Sequence, residues 1–228
     1  ERASTVLVDG ANGMGAVVAN RAMAEGLRKM RESGSASVAI RNNTHFGAGA
    51  YFAAKATAEG AIAFIYSNAP PTMAPWHART PYFGTNPYCF SVPARKHPNI
   101  VLDMATSVVA RGKIIVAAER GESIPSGWAI DGEGRETTDA QAALDGCVLP
   151  FGGPKGSGIA LMIDILGGVL SGAGFGRGIG DLYRELSVPQ NVGSFIQLIQ
   201  IERFMPMERF LNRIDTMIDE IKALNPVP

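Results

Sequence analysis

The sequence predicts an α/β or α+β protein whose strands and helices do not alternate as in a doubly wound sheet. Short apolar runs bounded by glycine or proline, such as residues 61–67, predict buried strands. Apolar residues at helical spacing, as in residues 207–224, predict amphipathic helices. Several strand runs, such as residues 88–94 and 99–105, follow one another without a helix between them. The chain has 228 residues, 46% of them hydrophobic, which is enough for a substantial core.

The first elements are a strand at residues 6–8, a glycine turn at 10–15 and a helix at 16–30. The glycines follow the pattern G-x-x-G-x-G, whereas a dinucleotide fingerprint has G-x-G-x-x-G and an acidic residue about 20 positions later. Two interpretations of this turn remain open: a phosphate-binding turn or a plain tight turn.

The rest of the chain continues the mixed pattern. Thr106 is the predicted N-cap and Gly121 the predicted end of a helix at residues 106–121. The other predicted elements are a strand at 35–40, a helix at 48–59, a strand at 61–67, a proline-rich loop at 68–87, two strands at 88–94 and 99–105 that could pair, irregular chain at 122–146 with a short helical piece near its end, a glycine-rich loop at 150–158, a helix at 159–170, a strand at 191–201 and a helix at 207–224.

Charge and composition exclude several classes of partner. Lys plus Arg equals Asp plus Glu at 21 each, so we expect no nucleic-acid partner. The longest apolar stretch, residues 158–170, contains Asp164 and is shorter than the roughly 20 residues of a bilayer span, so we expect no membrane partner. Two cysteines with no metal-ligand spacing suit a reducing compartment. We therefore expect a soluble cytoplasmic protein without a metal site.

Four positions have side chains suited to chemistry. His45, at a strand end before a glycine-rich helix start, is either a proton-transferring group or a turn histidine bonded to a carbonyl. Lys155, between glycines in "GGPKGSG", either binds an anion or lies free on the surface. Asp103 either orients a hydroxyl group or caps a helix. Thr85 and Asn86, held by Pro87, offer hydrogen-bonding groups.

Read in order, seven blocks resemble one family over most of the chain. They are "NNTHFGAGAYF", "SNAPPTMAPW", "FGTNPYCFSVPA", "VLDMATSVVARGKI", "IPSGWAIDGEGRETTDAQAAL", "LPFGGPKGSGIALMIDILGGVLSGAGFG" and "PQNVGSFIQLIQIERF". This set is similar to the malate/L-lactate dehydrogenases of the second type, a group that includes ureidoglycolate and sulfolactate dehydrogenases. The resemblance implies a non-Rossmann NAD(P)-binding fold, α/β with a mixed, mostly antiparallel sheet flanked by helices.

The resemblance also implies an activity and its residues. The activity is NAD- or NADP-dependent hydride transfer involving an L-2-hydroxy or 2-oxo acid, carried out by a homodimer. His45 is then the general acid/base, and Thr85 and Asn86 contact the substrate. The implied cofactor contacts are Ser67, Asp103, Met104, Ala105, Lys155 and Gly156. Residues 5–200 are expected to form the NAD(P)-binding and catalytic domain, and residues 201–228 a C-terminal amphipathic helix packed on it.

Three departures from the family pattern keep an alternative open. The N-terminal helical segment with an S-H-G motif and a substrate-binding arginine, and the C-terminal extension, are not found in this sequence. Ser194 stands in "NVGSFI" where relatives usually have histidine. The alternative function is therefore a non-catalytic or truncated NAD(P)-binding module.

Overall fold

A six-stranded sheet forms the centre of the molecule. The structure, a computed structural model, describes residues 2–181 and 187–227. The strands of this sheet are β1 (Thr5–Asp9), β2 (Ser35–Asn43), β3 (Ala61–Ser67), β4 (Tyr88–Val92), β5 (Ile100–Met104) and β9 (Val192–Gln200). Their order is β1-β2-β9-β3-β4-β5, so the late strand β9 lies between two early ones.

Only one pair of neighbouring strands in this sheet is parallel. β1 pairs with β2 in parallel, and the other four pairs are antiparallel. The expected mixed, mostly antiparallel sheet is therefore confirmed. This order also brings one end of every strand pair to a common edge: β1, β2, β3 and β5 finish there, and β4 and β9 begin there.

Helices cover the sheet and build the main core. The helices are α1 (Gly15–Ser33), α2 (Gly49–Ala58), α3 (Arg111–Arg120), α4 (Ala140–Asp145), α5 (Pro154–Asp164) and α6 (Met207–Lys222). Met23 of α1 and Phe52 of α2 are buried in one cluster with Val38, Ile196 and Leu198 of the sheet. Burial of side chains of this size contributes about 1.5–3 kcal/mol each relative to exposure.

The chain expected to be irregular at residues 122–146 contains a small second sheet. Its strands are β6 (Ala129–Ile130), β7 (Glu136–Thr137) and β8 (Cys147–Val148), in the order β7-β6-β8. Ala129 and Val148 join Met73 of the proline-rich loop and Ile114 of α3 in a second buried cluster. Two-residue strands carry too little periodicity to be predicted from sequence, and the predicted short helix corresponds to α4.

Two helix starts differ from prediction. Thr106 does not cap α3, which begins at Arg111, because its backbone N–H and its hydroxyl both donate to the carbonyl of Thr85, at 2.8 and 2.9 Å. α5 begins at Pro154, a residue favoured at a first helical position, so Lys155 lies in the first turn of a helix rather than in a loop. A π-helical turn, Ile165–Val169, continues α5.

Two acidic residues of α6, Asp215 and Asp219, hold the helix against residues 95–97. The carboxylate of buried Asp215 accepts the backbone N–H groups of Arg95 and Lys96, at 3.3 and 3.0 Å. Some apolar residues of α6, such as Ile214, are half-buried, and others are exposed, among them Ile221 at 59%. Among the described helices, none is long and apolar enough to cross a bilayer.

Candidate active site

A cleft at the common edge of the large sheet gathers residues that are far apart in sequence. Its cavity volume is about 80 Å³, so the cleft is small. Its wall comes from the chain after β2, the end of β3 and the loop after it, the loop before β4, and the start of β9. The lining residues are His45, Phe46, Gly47, Ser67, Asn68, Ala69, Pro70, Thr85, Pro87, Gln190 and Val192. Three predicted site residues, His45, Ser67 and Thr85, therefore share one cleft.

His45 is held by one hydrogen bond to Gln190, one hydrogen bond from Gly47, and a buried aromatic neighbour. Its backbone N–H donates to Oε1 of Gln190 at 3.0 Å, and its ring Nδ1 accepts the N–H of Gly47 at 3.2 Å. Next to it, Phe46 is buried edge-on against Phe52, with ring centroids 5.2 Å apart. Because neighbouring side chains of extended chain point in opposite directions, a buried Phe46 leaves the exposed His45 ring free to face the cleft.

The contact from Gly47 fixes which ring nitrogen of His45 carries the proton. An imidazole nitrogen that accepts a hydrogen bond has no hydrogen, so the neutral ring bears its proton on Nε2. Gly47 has φ +91°, in a region that favours glycine, and this conformation turns its N–H back onto the ring. Nε2 is thus the nitrogen that His45 offers to a ligand.

Ser67 ends β3 opposite Ser194 of β9. The two residues are register partners, and their hydroxyl oxygens lie 3.2 Å apart in a buried pair. The hydroxyl of Ser67 also donates to the carbonyl of Asn68 at 3.1 Å. Ser194, which the resemblance marks as a departure from the expected pattern, is therefore a direct neighbour of Ser67, a predicted cofactor contact.

Asn68 lines the cleft but is committed to internal bonds. Its Nδ2 donates to Oδ1 of Asp164 and to the carbonyl of Gly174, at 3.1 and 2.8 Å, and its Oδ1 accepts the N–H of Gly193 at 2.8 Å. Burial raises the pKa of the Asp164 carboxyl, while hydrogen bonds from Gly176 N–H and Asn68 oppose the rise. These contacts fix the end of β3 and so the wall of the cleft.

Thr85 and Asn86 are neighbours with different surroundings. Thr85 lines the cleft, and its side-chain hydroxyl has no hydrogen-bond partner among the described residues. Asn86 is fully buried: its Oδ1 accepts the N–H of Ala69 at 3.1 Å, and its Nδ2 donates to the carbonyl of Ala160 at 2.9 Å. Asn86 thus connects Ala69 in the cleft wall to Ala160 of α5 and does not line the cleft. Thr85 lines the cleft, and its hydroxyl is free to bind a ligand.

Asp103, Met104 and Ala105 run along the same sheet edge at the end of β5. Oδ2 of Asp103 accepts the N–H of Ala50 at 2.8 Å and thereby caps the first turn of α2. Gly49 packs so closely here that an added Cβ would lie 2.7 Å from the Cβ of Cys89. The capping interpretation concerned the helix after β5, whereas Asp103 caps α2 instead. The other carboxylate oxygen of this exposed residue stays compatible with a hydroxyl group.

Gly156 packs against Thr106, which is hydrogen-bonded to Thr85 in the cleft wall, and Lys155 precedes Gly156 in α5. An added Cβ at Gly156 would lie 2.9 Å from the carbonyl oxygen of Thr106, whose N–H and hydroxyl bind Thr85. Lys155 is exposed and makes no ion pair with any residue in the described part of the chain. An unpaired cation in the first turn of a helix is suited to a phosphate or carboxylate.

The glycine turn between β1 and α1 is a structural turn. Its backbone N–H groups are taken up within the protein: Gly10 and Asn12 donate to carbonyls of Arg41 and Asn42, at 2.9 and 2.8 Å. The N–H of Gly15 donates to the hydroxyl of Thr44 at 2.9 Å. These donors are not available to a phosphate, so the tight-turn interpretation fits the geometry.

The residues present fit a nicotinamide dinucleotide. The free carboxylate oxygen of Asp103 suits a ribose hydroxyl, and the ammonium group of Lys155, which has no ion-pair partner in the described residues, suits a phosphate. Gly156, beside Lys155, packs so closely on the backbone of Thr106 that it leaves no room for a side chain. No cluster of three or more potential metal ligands occurs within residues 2–181 and 187–227.

Sequence analysis assigns no role to Gln190, which is 145 residues from His45 along the chain and bonded to it. The available signal was an amide side chain between Pro189 and the glycine-containing start of β9. Only the long-range pairing of β9 with β2 brings that residue to the cleft.

Known proteins resemble this chain along its whole length. The family model described as malate/L-lactate dehydrogenase matches residues 1–228. A malate dehydrogenase of Pyrococcus horikoshii is 39% identical over 236 residues, covering 100% of this chain and 64% of that protein. A (2R)-3-sulfolactate dehydrogenase (NADP(+)) of Chromohalobacter salexigens is 41% identical, covering 76% of this chain and 52% of that protein.

Two further comparisons agree with these. A ureidoglycolate dehydrogenase (NAD(+)) of Escherichia coli O157:H7 is 36% identical, covering 95% of this chain and 62% of that protein. The solved structure of sulfolactate dehydrogenase from Methanocaldococcus jannaschii superposes with a TM-score of 0.91 at 38% identity, covering 100% of this chain and 65% of that one. The chain thus spans less than two thirds of the length of these relatives. By its matched family model and its identity to these proteins, the chain belongs to the malate/L-lactate dehydrogenase family.

Proposed function

We propose that this chain carries the cofactor-binding and acid/base parts of an NAD(P)-dependent 2-hydroxy-acid oxidoreductase of malate/lactate type. The observation that carries the proposal is the meeting of His45, Ser67 and Thr85 in one cleft, with Nε2 of His45 the ring nitrogen available to a ligand. Family membership supports the same activity.

His45 is the general acid/base of this proposal. With its proton on Nε2, the resting ring is a hydrogen-bond donor to the oxygen of a 2-oxo acid. A neutral imidazole is a very weak acid, so complete transfer to that oxygen requires a second proton on Nδ1, which opens the bond from Gly47. In the oxidation direction Nε2 takes the hydroxyl proton only from the tautomer that carries its proton on Nδ1, and this tautomer also opens the bond from Gly47. Positioned acid/base catalysis of this kind contributes about 10²–10⁴-fold to the rate.

The cofactor is held, in this proposal, by Ser67, Asp103, Met104, Ala105, Lys155 and Gly156. A bound nicotinamide supplies the hydride, and the protein supplies position and electrostatics. The names of two relatives, one NAD(+)- and one NADP(+)-dependent, support NAD or NADP.

The substrate is proposed to be a small 2-hydroxy or 2-oxo acid. The free hydroxyl of Thr85 can donate a hydrogen bond to the oxygen atoms of this substrate. Asn86 contributes indirectly, because its side chain fixes Ala69 in the cleft wall. Together with Nε2 of His45, the cleft offers neutral donors to an anion.

The wider organisation is proposed in the same way. We take residues 5–200 as the binding and catalytic unit, with residues 201–228 appended to it. Exposed Leu161, Ile165 and Val169, along α5 and the π-helical turn, support a homodimer. Two free, buried cysteines support a cytoplasmic location.

The experiment is a screen of 2-oxo acids with NADH and NADPH on the complete gene product, followed at the nicotinamide absorbance. His45→Ala is expected to lower kcat at least about 100-fold, with reduced-cofactor affinity retained. Equal turnover in that variant removes the acid/base role. Binding of cofactor by the wild-type protein without turnover of any 2-oxo acid favours the non-catalytic alternative.

A further inference from the structure

Gln190 is a nearly buried amide with only one end committed. It is 6% exposed and lines the same cleft as His45. Its Oε1 accepts the backbone N–H of His45 at 3.0 Å, and its own carbonyl accepts the N–H of Gly180 at 2.9 Å. Side chain and backbone are therefore both fixed.

The bond to His45 determines which way the carboxamide faces. A backbone N–H is only a donor, so the oxygen of the amide must face it and the nitrogen must point elsewhere. Nε2 of Gln190 makes no hydrogen bond to any residue that the structure describes. Nε2 is therefore a free donor at the wall of the cleft, and a ligand with an acceptor atom can bind it there.

The charges of the cleft are consistent with an anionic ligand. No acidic side chain is among the lining residues that the structure describes, and the free polar groups are Nε2 of His45, the hydroxyl of Thr85 and Nε2 of Gln190. A 2-oxo acid has two kinds of acceptor on adjacent carbons, the oxo oxygen and the carboxylate. His45 and Gln190 are hydrogen-bonded neighbours that line the same cleft, so each can supply a donor to one of these acceptors.

We propose that Gln190 is a substrate-specificity residue: its Nε2 donates a hydrogen bond to the carboxylate of the 2-oxo acid, while Nε2 of His45 donates a hydrogen bond to the oxo oxygen. This inference rests on the proposed function and adds the group that selects an acid over its uncharged analogues. The same side chain, through Oε1, holds the backbone of His45, so substrate recognition and placement of the acid/base share one residue.

Gln190→Glu separates these two roles in the complete gene product. Glutamate keeps an oxygen that accepts the N–H of His45, but it replaces the donor by a carboxylate oxygen that repels an anion. The KM for a 2-oxo acid is expected to rise about 10–100-fold, as for loss of a hydrogen bond to a charged group. The KM for the matching 2-oxo amide should change much less, because its N–H can donate to glutamate. Reduced-cofactor affinity and melting temperature should stay within about 2-fold and about 2 °C of wild type.

The outcomes against the inference are distinct from failure of the proposed function. An unchanged KM for the acid, or an equal rise for acid and amide, would show that Gln190 only supports the His45 segment and would overturn the inference. A wild-type protein that turns over no 2-oxo acid contradicts the proposed function instead. Calorimetric titration with oxamate, an unreactive analogue, in the presence of reduced cofactor then decides on Gln190: the wild type should bind it at least about 10-fold more tightly than Gln190→Glu, and equal affinities or no binding would overturn the inference.

Discussion

Gly156→Ala and Gly158→Ala in α5 are a matched pair of substitutions that tests how the first turns of this helix pack near the proposed cofactor contact Lys155. At Gly156 an added Cβ would lie 2.9 Å from both the nitrogen of Phe151 and the carbonyl oxygen of Thr106, and closer still to the oxygen of Phe151. All three are backbone atoms, so they cannot rotate away. At Gly158 an added Cβ meets nothing within 4 Å.

The expected magnitude follows from two opposing terms. Alanine in place of glycine within a helix is worth about 0.5–1 kcal/mol, and both variants gain it. Overpacking against backbone atoms that cannot move lowers the free energy of unfolding by about 1–3 kcal/mol, and this term applies only to Gly156→Ala. The free energies of unfolding of the two variants should therefore differ by about 1–3 kcal/mol in favour of Gly158→Ala.

Urea unfolding of both variants measures this difference, and titration with reduced cofactor provides a second readout. Gly156→Ala should also weaken cofactor binding, because Gly156 packs on Thr106 beside Lys155. Gly158→Ala should bind as the wild type does. Equal stabilities and equal affinities in the two variants would refute the packing assigned to this helix start.

Three further predictions concern single residues around the cleft. Burial, with a smaller contribution from the Asp103 carboxylate, raises the pKa of the Cys89 thiol to about 12. Because the pKa in the folded protein exceeds the ordinary thiol value of 9.0, the stability linked to this thiol is complete below about pH 9 and is lost as pH rises toward 12. Iodoacetamide at pH 9 should therefore label Cys89 only in the unfolded protein, and labelling of the native protein would contradict this. Asn86→Ala removes two buried hydrogen bonds and should lower the free energy of unfolding in urea by about 2–4 kcal/mol. Thr85→Val should leave the melting temperature unchanged and raise the substrate KM. A stability loss in Thr85→Val and a KM effect alone in Asn86→Ala would contradict the roles given to the two residues. Asp103→Ala removes the cap of α2 and should cost about 1 kcal/mol while weakening cofactor binding, and unaltered binding would leave Asp103 with a capping role only.

Local pattern predicts much of the large sheet but not its order. The strand predicted at residues 61–67 is found with the same bounds, because a continuous apolar run between a glycine and a polar loop is a strong local signal. The predicted pairing of residues 88–94 with 99–105 corresponds to β4 and β5. The position of β9 between β2 and β3 depends on contacts more than 120 residues apart in sequence, such as Ser67 with Ser194 and Ala39 with Phe195, which no periodicity encodes.

Long-range hydrogen bonds account for the elements that were predicted wrongly. Thr106 has the residue type of an N-cap, but both of its donors bind Thr85 across the cleft edge, and α3 starts five residues later. The strands of the second sheet are too short for an alternating pattern. In both cases tertiary contacts override a local preference.

The candidate site was predictable only in part. His45, Ser67 and Thr85 were identified by sequence and share the cleft, and their roles stay predictions. Gln190 was not assigned, since its significance lies in a bond to His45 that sequence spacing does not reveal. Asn86 was expected at the substrate, and its side chain instead has internal partners at both ends, so direct contact stays an untested prediction.

The most direct test of the account is a crystal structure of the complete gene product with reduced cofactor and oxamate. The account predicts oxamate in the cleft between His45 and Thr85, with a ligand oxygen within hydrogen-bond distance of Nε2 of His45 and the nicotinamide ring beside Ser67. A cofactor bound away from this sheet edge, or an imidazole of His45 that touches neither ligand, would contradict it.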